Sequence, residues 1–289
     1  MAQVLEPDEA VAAIPSGACV GVGGSVNAGH PMALVRALIR SGVSGLTVVG
    51  LTSGLDLDLL VASGAAGTVS AAYVGAEEIV GLPPAIRWAA EDGRIEVWES
   101  EEGIHLASLR ARALKLPYEV WTSLGTAHTD HPLVEQAYDD VTGAPFLKVR
   151  PLKVDAALLW AEAADEDGNL LSWGPDFGDE WLRNAADRRI AQVERIVPTS
   201  LLSRHPDRVL PWAADVVVRA PLSTHPFAGT AVRVDDRWIR EYADEVGRAR
   251  QTGDPESLRA FVDAWIVDVG GEDAYLAKVG VARLRELMG

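Results

Sequence analysis

Cysteine is nearly absent from this chain: Cys19 is the only one in 289 residues, so no disulfide can form within it. Cys19 lies in the apolar run 18–22 and reads as a small core residue. Long apolar runs are missing too. No stretch approaches the ~20 residues of a membrane span, and the N-terminus lacks the basic and apolar regions of a signal peptide. A cytoplasmic protein with no membrane partner is expected. Basic residues are scarce, 26 against 42 acidic ones, for a formal net charge of −16. Nucleic-acid phosphates need a basic face, so this balance argues against such a partner. It also means that a polyanionic ligand must be held by local N–H groups and arginines, or by another chain. Phenylalanine is rare as well, four against nine tryptophans. Trp173, Trp181 and Trp238 fall in polar surroundings, as expected at an interface with another subunit.

What the chain does have is apolar content, 48%, and a glycine-rich stretch near its start. The run 18–22 reads as a buried strand. It opens through Gly21, Gly23, Gly24 and Gly29, with Ser25 and Asn27 between, to His30, Pro31 and an amphipathic helix over Met32–Arg40. Pro31 suits a first helical turn, where a missing N–H costs nothing. A strand opening through glycines into a helix N-terminus exposes N–H donors and a positive dipole end. Such a place can hold a phosphate, a carboxylate or a carbonyl oxygen turning negative; a bare turn with no ligand is the plain alternative. A dinucleotide fingerprint fails, because Val26 stands where its third glycine should be and no acidic residue ends the strand near Val49.

The pattern then repeats. Strands are expected at 46–51, 68–74, 94–98 and 118–122, with helices at 55–62, 83–91 and 103–114 between them. Thr52, Ser53 and Gly54 end one strand in small residues, and Ser123, Leu124, Gly125 and Thr126 end another. This layout predicts an α/β fold, an open, mostly parallel sheet with flanking helices, whose ligands gather at the carboxyl ends of the strands. The loops 23–29, 52–54 and 123–126 would then share one rim with Glu99–Glu102. Residues 128–153 read as an excursion or lobe that rejoins the sheet at 154–160. Residues 165–169 read as a turn rather than a calcium loop, for which the spacing is wrong. Strands 189–196 and 214–220 follow, and residues 239–288 form a helical C-terminal region in which Asp254 and Pro255 start a helix. A single domain over 1–289 accounts for the whole.

For chemistry, Glu101 and Glu102 end a strand and precede Gly103 and a helix. An ionised carboxylate there can act as general base or nucleophile. Equally, both simply favour the helix's positive end, worth about 0.3–1 kcal/mol each. His128 and His131 lack a third ligand at a telling spacing, so no metal site is expected. His30 and His225 each precede a proline, and no serine sits in a nucleophile elbow. Arg183, Arg188 and Arg189 are most simply surface residues, with a phosphate as the sharper reading.

The order of these pieces resembles the α subunit of family I coenzyme A transferases, nearest the glutaconate CoA-transferase branch. Gly23-Gly24 to His30-Pro31-Met32, the strand at 45–49, residues 89–97, Leu116-Pro117-Tyr118, the hairpin ending Trp173-Gly174, residues 193–197, 215–221 with His225-Pro226, and Trp265 to Tyr275-Leu276, Gly280 and Arg283-Leu284 carry it. The resemblance implies a heteromer, heterodimer or heterotetramer, with a homologous β subunit; the active site lies between the halves. A β-subunit glutamate carries CoA as a thioester, no cofactor is permanently bound, and the acyl-CoA thioester is the substrate. It suits Gly23, Gly24 and Ser25 as oxyanion or substrate-carboxylate contacts; Asn27, Thr52, Ser53, Gly54, Gly125 and Thr126, on the shared rim, are the further substrate-binding candidates. The Glu101-Glu102-Gly103 turn resembles a related branch, CoA-dependent hydrolases that open steroid-derived rings with an α-subunit glutamate; a third relative decarboxylates a glutaconyl-type thioester. CoA transfer is the expected reaction, with Glu102 as base or orienting carboxylate. The alternatives are hydrolytic C–C cleavage, decarboxylation, or a non-catalytic partner role.

Overall fold

In the computed structural model, which describes residues 1–76, 78–122, 131–173 and 177–289, one parallel sheet runs through the chain. Its strands are β1 (Gln3–Val4), β2 (Cys19–Val22), β3 (Leu46–Ser53), β4 (Ala66–Val74) and β5 (Glu96–Glu99), in the first half. Three more strands, β6 (Glu119–Trp121), β7 (Val134–Tyr138) and β8 (Pro145–Val149), form a separate antiparallel sheet in the order β6-β8-β7. The parallel sheet resumes with β9 (Val154–Ala164), which turns back through β10 (Leu170–Leu171), and continues with β11 (Ala186–Ile196). The short β12 (Val209–Leu210) pairs antiparallel with β10, and β13 (Val216–Arg219) completes the set. The order across the main sheet is β1-β13-β11-β9-β2-β3-β4-β5, every neighbouring pair parallel.

Helices cover both faces, as buried parallel strands require. On one side lie α1 (Pro7–Val11), α2 (Met32–Arg40), α3 (Leu55–Ala62) and α4 (Pro84–Glu91). The other side carries α5 (Glu102–Ala113) and α6 (Asp179–Ala185), packed on each other. A short α7 (Thr199–Leu202) precedes the helical C-terminal region. That region runs through α8 (Asp236–Thr252), α9 (Pro255–Val262), a π turn at Asp263–Val267, α10 (Glu272–Val279) and α11 (Val281–Met288). Asp254 caps α9 through Glu256 N–H at 3.1 Å, with Pro255 next. Asp58, inside α3, caps a different helix. It accepts from Ala85 and Ile86 N–H at 3.1 and 2.7 Å and from the Tyr242 hydroxyl at 2.7 Å. The burial of Asp58 pushes its carboxyl up to about 6 despite those three donors.

Two expectations need correction. The strand near 118–122 does not extend the parallel sheet. Its residues Glu119, Val120 and Trp121 are half-buried or exposed, with Glu119 engaged with Arg110, which suits a sheet covered on one face only. It takes the one-sided antiparallel sheet instead, which packs Trp121, Val134, Leu147 and Val149 on Ile104 and Ala107 of α5. Trp238 is not an interface residue. It is buried, stacked on Tyr242 with ring planes 6° apart and edge-on to Trp265.

The turn at 165–169 is built around one carboxylate. Asp165 accepts from Asp167 N–H and Asn169 N–H, both at 3.0 Å, and from Asn169 Nδ2 and Thr199 Oγ1, both at 2.7 Å. Burial opposes its charge, but these donors outweigh it and hold its carboxyl below the usual range. Cys19 sits in β2, and its burial pushes the thiol up to about 12, so it is no nucleophile.

Candidate functional site

The glycine stretch leaves β2 at the carboxyl edge of the sheet and folds into a tight turn rather than an open cradle. Ser25 and Ala28 exchange N–H···O bonds at 2.8 and 2.9 Å, closing the turn over Val26 and Asn27, with Val26 at φ +48°. Gly23 N–H donates to Leu158 of β9 at 2.9 Å, and Val26 N–H to Thr52 of β3 at 2.6 Å. Gly54 lets the turn approach: a Cβ there would stand 2.1 Å from the Val26 carbonyl. Ser25 and Thr52 thus meet across a short parallel bridge, their hydroxyls 3.4 Å apart. The loops after β2 and β3 are brought together as expected. Ser53 turns inward and is buried.

The helix that follows offers less than its sequence promised. Pro31 is the cap of α2, outside the first turn, and Ala33 N–H is taken by the Gln192 side chain of β11 at 2.8 Å. With Met32 and Ala33 fully buried, this helix N-terminus is closed to a ligand. The donor that does meet a charge is Gly24. Its N–H points at the Asp179 carboxylate, 3.2 Å from Oδ1 and 3.1 Å from Oδ2. Gly24 has φ +110°, and a Cβ on it would lie 2.7 Å from the His30 ring. A Cβ on Gly23 would instead meet Asp179 Oδ2 at 2.8 Å.

Asp179 opens α6 behind Gly178, at φ +104°, whose own Cβ position touches Leu51 of β3 and Leu106 of α5. Beside it is a cavity of about 190 Å³ lined by Trp160, Leu170, Ser172, Arg183 and Arg208. Arg208 lies over the exposed Trp173 ring, 5.4 Å from its centroid. On the other side of Gly24, His30 and Asp56 are both fully buried, Nδ1 to Oδ2 at 3.2 Å, with the ring N–H too far off line for a regular hydrogen bond. His30 Nε2 is 3.2 Å from the Val26 carbonyl. Burial works against an imidazolium here, but Asp56, Asp179 and the Val26 carbonyl outweigh it and raise the pKa above its ordinary value.

Glu102 is exposed, the first residue of α5, at the carboxyl end of β5. It shares the rim but not the loop. β5 is three strands from β2, on the order of 14 Å at ordinary strand spacing. Neighbouring Glu101 accepts from the indole N–H of Trp121, and Gly103 is needed because a Cβ would stand 2.1 Å from that indole. Gly125 and Thr126 lie outside the described residues, as does His128. Among the described residues no cluster of metal-ligating side chains occurs, and no helix is long and apolar enough to cross a membrane. Sequence reasoning missed Asp179, Asp56 and Gln192, which reach the loop from 155, 26 and 159 residues away in the pairs Gly24–Asp179, His30–Asp56 and Ala33–Gln192.

Residues 4–211 match the family model described as coenzyme A transferase. The chain is 34% identical to the cholesterol ring-cleaving hydrolase IpdA subunit of Rhodococcus jostii, over 94% of each chain. It is 26% identical to the A-type subunit of glutaconate CoA-transferase from Acidaminococcus fermentans, over 99% of this chain and 95% of that one. The crystal structure of that transferase superposes with a TM-score of 0.90, covering 100% of this chain and 96% of that chain at 24% identity. The decarboxylase AibA/AibB superposes with a TM-score of 0.78 at 29% identity, covering 90% and 98%.

Proposed function

This chain belongs to the coenzyme A transferase family, and on that premise we propose that it is the A-type subunit of a two-subunit enzyme acting on acyl-CoA thioesters. CoA transfer between an acyl-CoA and a carboxylate is the reaction. Its partner is a homologous β-type subunit, in a heterodimer or heterotetramer, and the compartment is the cytoplasm, which suits a chain with one buried thiol. The observation that carries the reading is the Gly23–Asn27 turn at the carboxyl edge of the sheet, with one N–H, that of Gly24, aimed at a carboxylate beside a cavity. A donor that meets a carboxylate oxygen at rest also donates to a thioester oxygen as it becomes negative. Gly23, Ser25, Asn27, Thr52 and Gly54 shape that wall, and a partner-held CoA relieves the −16 charge problem. Nothing in this chemistry calls for a resident metal or cofactor.

A second reading has its own support. The 34% identity to a ring-cleaving hydrolase subunit, together with Glu102 exposed on the rim, favours hydrolytic C–C cleavage with Glu102 activating water. One experiment separates the two. The co-purified subunits are given an acyl-CoA donor without acceptor, treated with borohydride, and weighed by intact-mass spectrometry. A transferase leaves CoA on a partner glutamate, reducible to an alcohol, and Glu102→Gln still turns over. A hydrolase leaves both chains unmodified, and Glu102→Gln costs about 10²–10⁴ in rate. A chain fully active without any partner overturns both.

A further inference from the structure

His30 faces an acceptor at each ring nitrogen: the Asp56 carboxylate at 3.2 Å and the Val26 carbonyl at 3.2 Å. A neutral imidazole has one N–H and one lone pair, so one of these contacts would set lone pair against lone pair. In a site with no exposure that is costly, and a proton on the ring, making it an imidazolium beside a charged Asp56, removes that clash at both nitrogens. Asp56 asks for the same charge. Both of its oxygens are buried without a hydrogen bond among the described residues, which leaves His30 as the counter-charge a buried carboxylate requires. Its position in the first turn of α3 adds the positive end of that helix. Across Gly24, where the missing Cβ lets the ring approach, the next charge is Asp179 of α6. Phe227 presents an uncharged ring, tilted at 4.4 Å between centroids. Arg36, further along α2, is committed to Glu272 and to the carbonyls of Ser223 and His225. The charges facing His30 are therefore negative on both sides, Asp56 beneath and Asp179 above.

We infer that His30 is a positioning residue of this site: a buried imidazolium that, from beneath Gly24, holds the Asp179 carboxylate on the Gly24 N–H, and whose charge passes to an anionic substrate group that takes that carboxylate's place. Asp179 is then a resting occupant. A thioester oxygen gaining negative charge, or an acyl carboxylate, needs the same donor and the same nearby cation. The inference rests on the glycine turn being a substrate wall. No bond is made or broken; one anion replaces another on a donor that stays in place.

Two readouts test it. Long-range proton–nitrogen spectra of the ¹⁵N-labelled full-length chain report the His30 ring directly. Both nitrogens should be of protonated type above neutral pH, and Asp179→Asn should lower the titration midpoint by about one pH unit or more. A neutral tautomer at neutral pH, or a midpoint indifferent to Asp179→Asn, overturns the inference. In the co-purified two-subunit complex, with acetoacetyl-CoA as probe, Asp179→Asn should lower KM several-fold by removing the competitor, while His30→Gln raises it. Should His30→Gln not fold, Asp56→Asn keeps the ring, removes its counter-charge and must shift KM upward likewise. Variants that move KM in the same direction overturn the exchange. A complex that turns over no acyl-CoA at all defeats the functional reading instead, and the spectra still decide the charge.

Discussion

The N–H of Gly24 and the carboxylate of Asp179, 155 residues apart in the chain, meet at 3.1 and 3.2 Å. That contact joins the β2 turn to the start of α6 and puts a carboxylate where substrate is proposed to bind. It also divides the two adjacent glycines into different roles, which mutation can separate.

Gly24→Ala places a Cβ against a fully buried ring and forces φ +110° on a residue that resists it. Strain and overpacking together should cost about 2–5 kcal/mol, read from denaturant unfolding. Gly23→Ala meets only the half-buried Asp179 carboxylate, which can swing aside. It should cost under about 1 kcal/mol while changing KM for acyl-CoA. Equal destabilisation by both would mean that the turn, not the ligand, sets the need for glycine.

Two buried carboxylates should pull the acid limb of stability in opposite directions. The carboxyl of Asp58 is raised from 3.8 to about 6, so its folded form takes up a proton first. Its contribution is fully present below the unfolded value and is lost as pH rises through about 6. Asp165 is held below its ordinary value, so its contribution is present above that value and disappears as pH falls through the folded one. Melting temperatures across the acid range should therefore show Asp58→Asn removing a loss between about pH 4 and 6, and Asp165→Asn removing a loss below about pH 4. Parallel curves for wild type and both variants would refute the assignment.

Asp165→Ala should also destabilise by about 2–4 kcal/mol, because two backbone and two side-chain donors lose one acceptor. Calcium should not protect the wild-type turn in a thermal melt, since the donors already occupy the carboxylate.

The tryptophans separate core from surface. Trp238→Ala should cost about 3–5 kcal/mol and leave association with the partner unchanged in the surviving folded protein. Trp173→Ala, on an exposed ring beside Arg208, should leave stability within about 0.5 kcal/mol and weaken co-purification of the partner if that face is covered in the complex. Sizing chromatography of the two variants reads both outcomes.

What the sequence determined by itself was everything that depends on neighbours along the chain. Apolar runs at 18–22 and 46–51 marked buried strands, small residues after them marked the rim, and Asp254-Pro255 marked a helix start. Each rests on periodicity or local chemistry, which act within a few residues. The ordered set of weak motifs was enough for the family. Tertiary structure alone decided which donors stay available. Gln192 from β11 closed the α2 N-terminus, Leu158 and Thr52 consumed N–H groups of the glycine turn, and Asp179 took that of Gly24. It also moved residues 119–121 off the main sheet and turned Trp238 inward. These outcomes depend on strand order and helix docking, which bring residues far apart in sequence to hydrogen-bond distance. A glycine-rich stretch announces that a backbone can come close to something; only the folded neighbours determine what it comes close to.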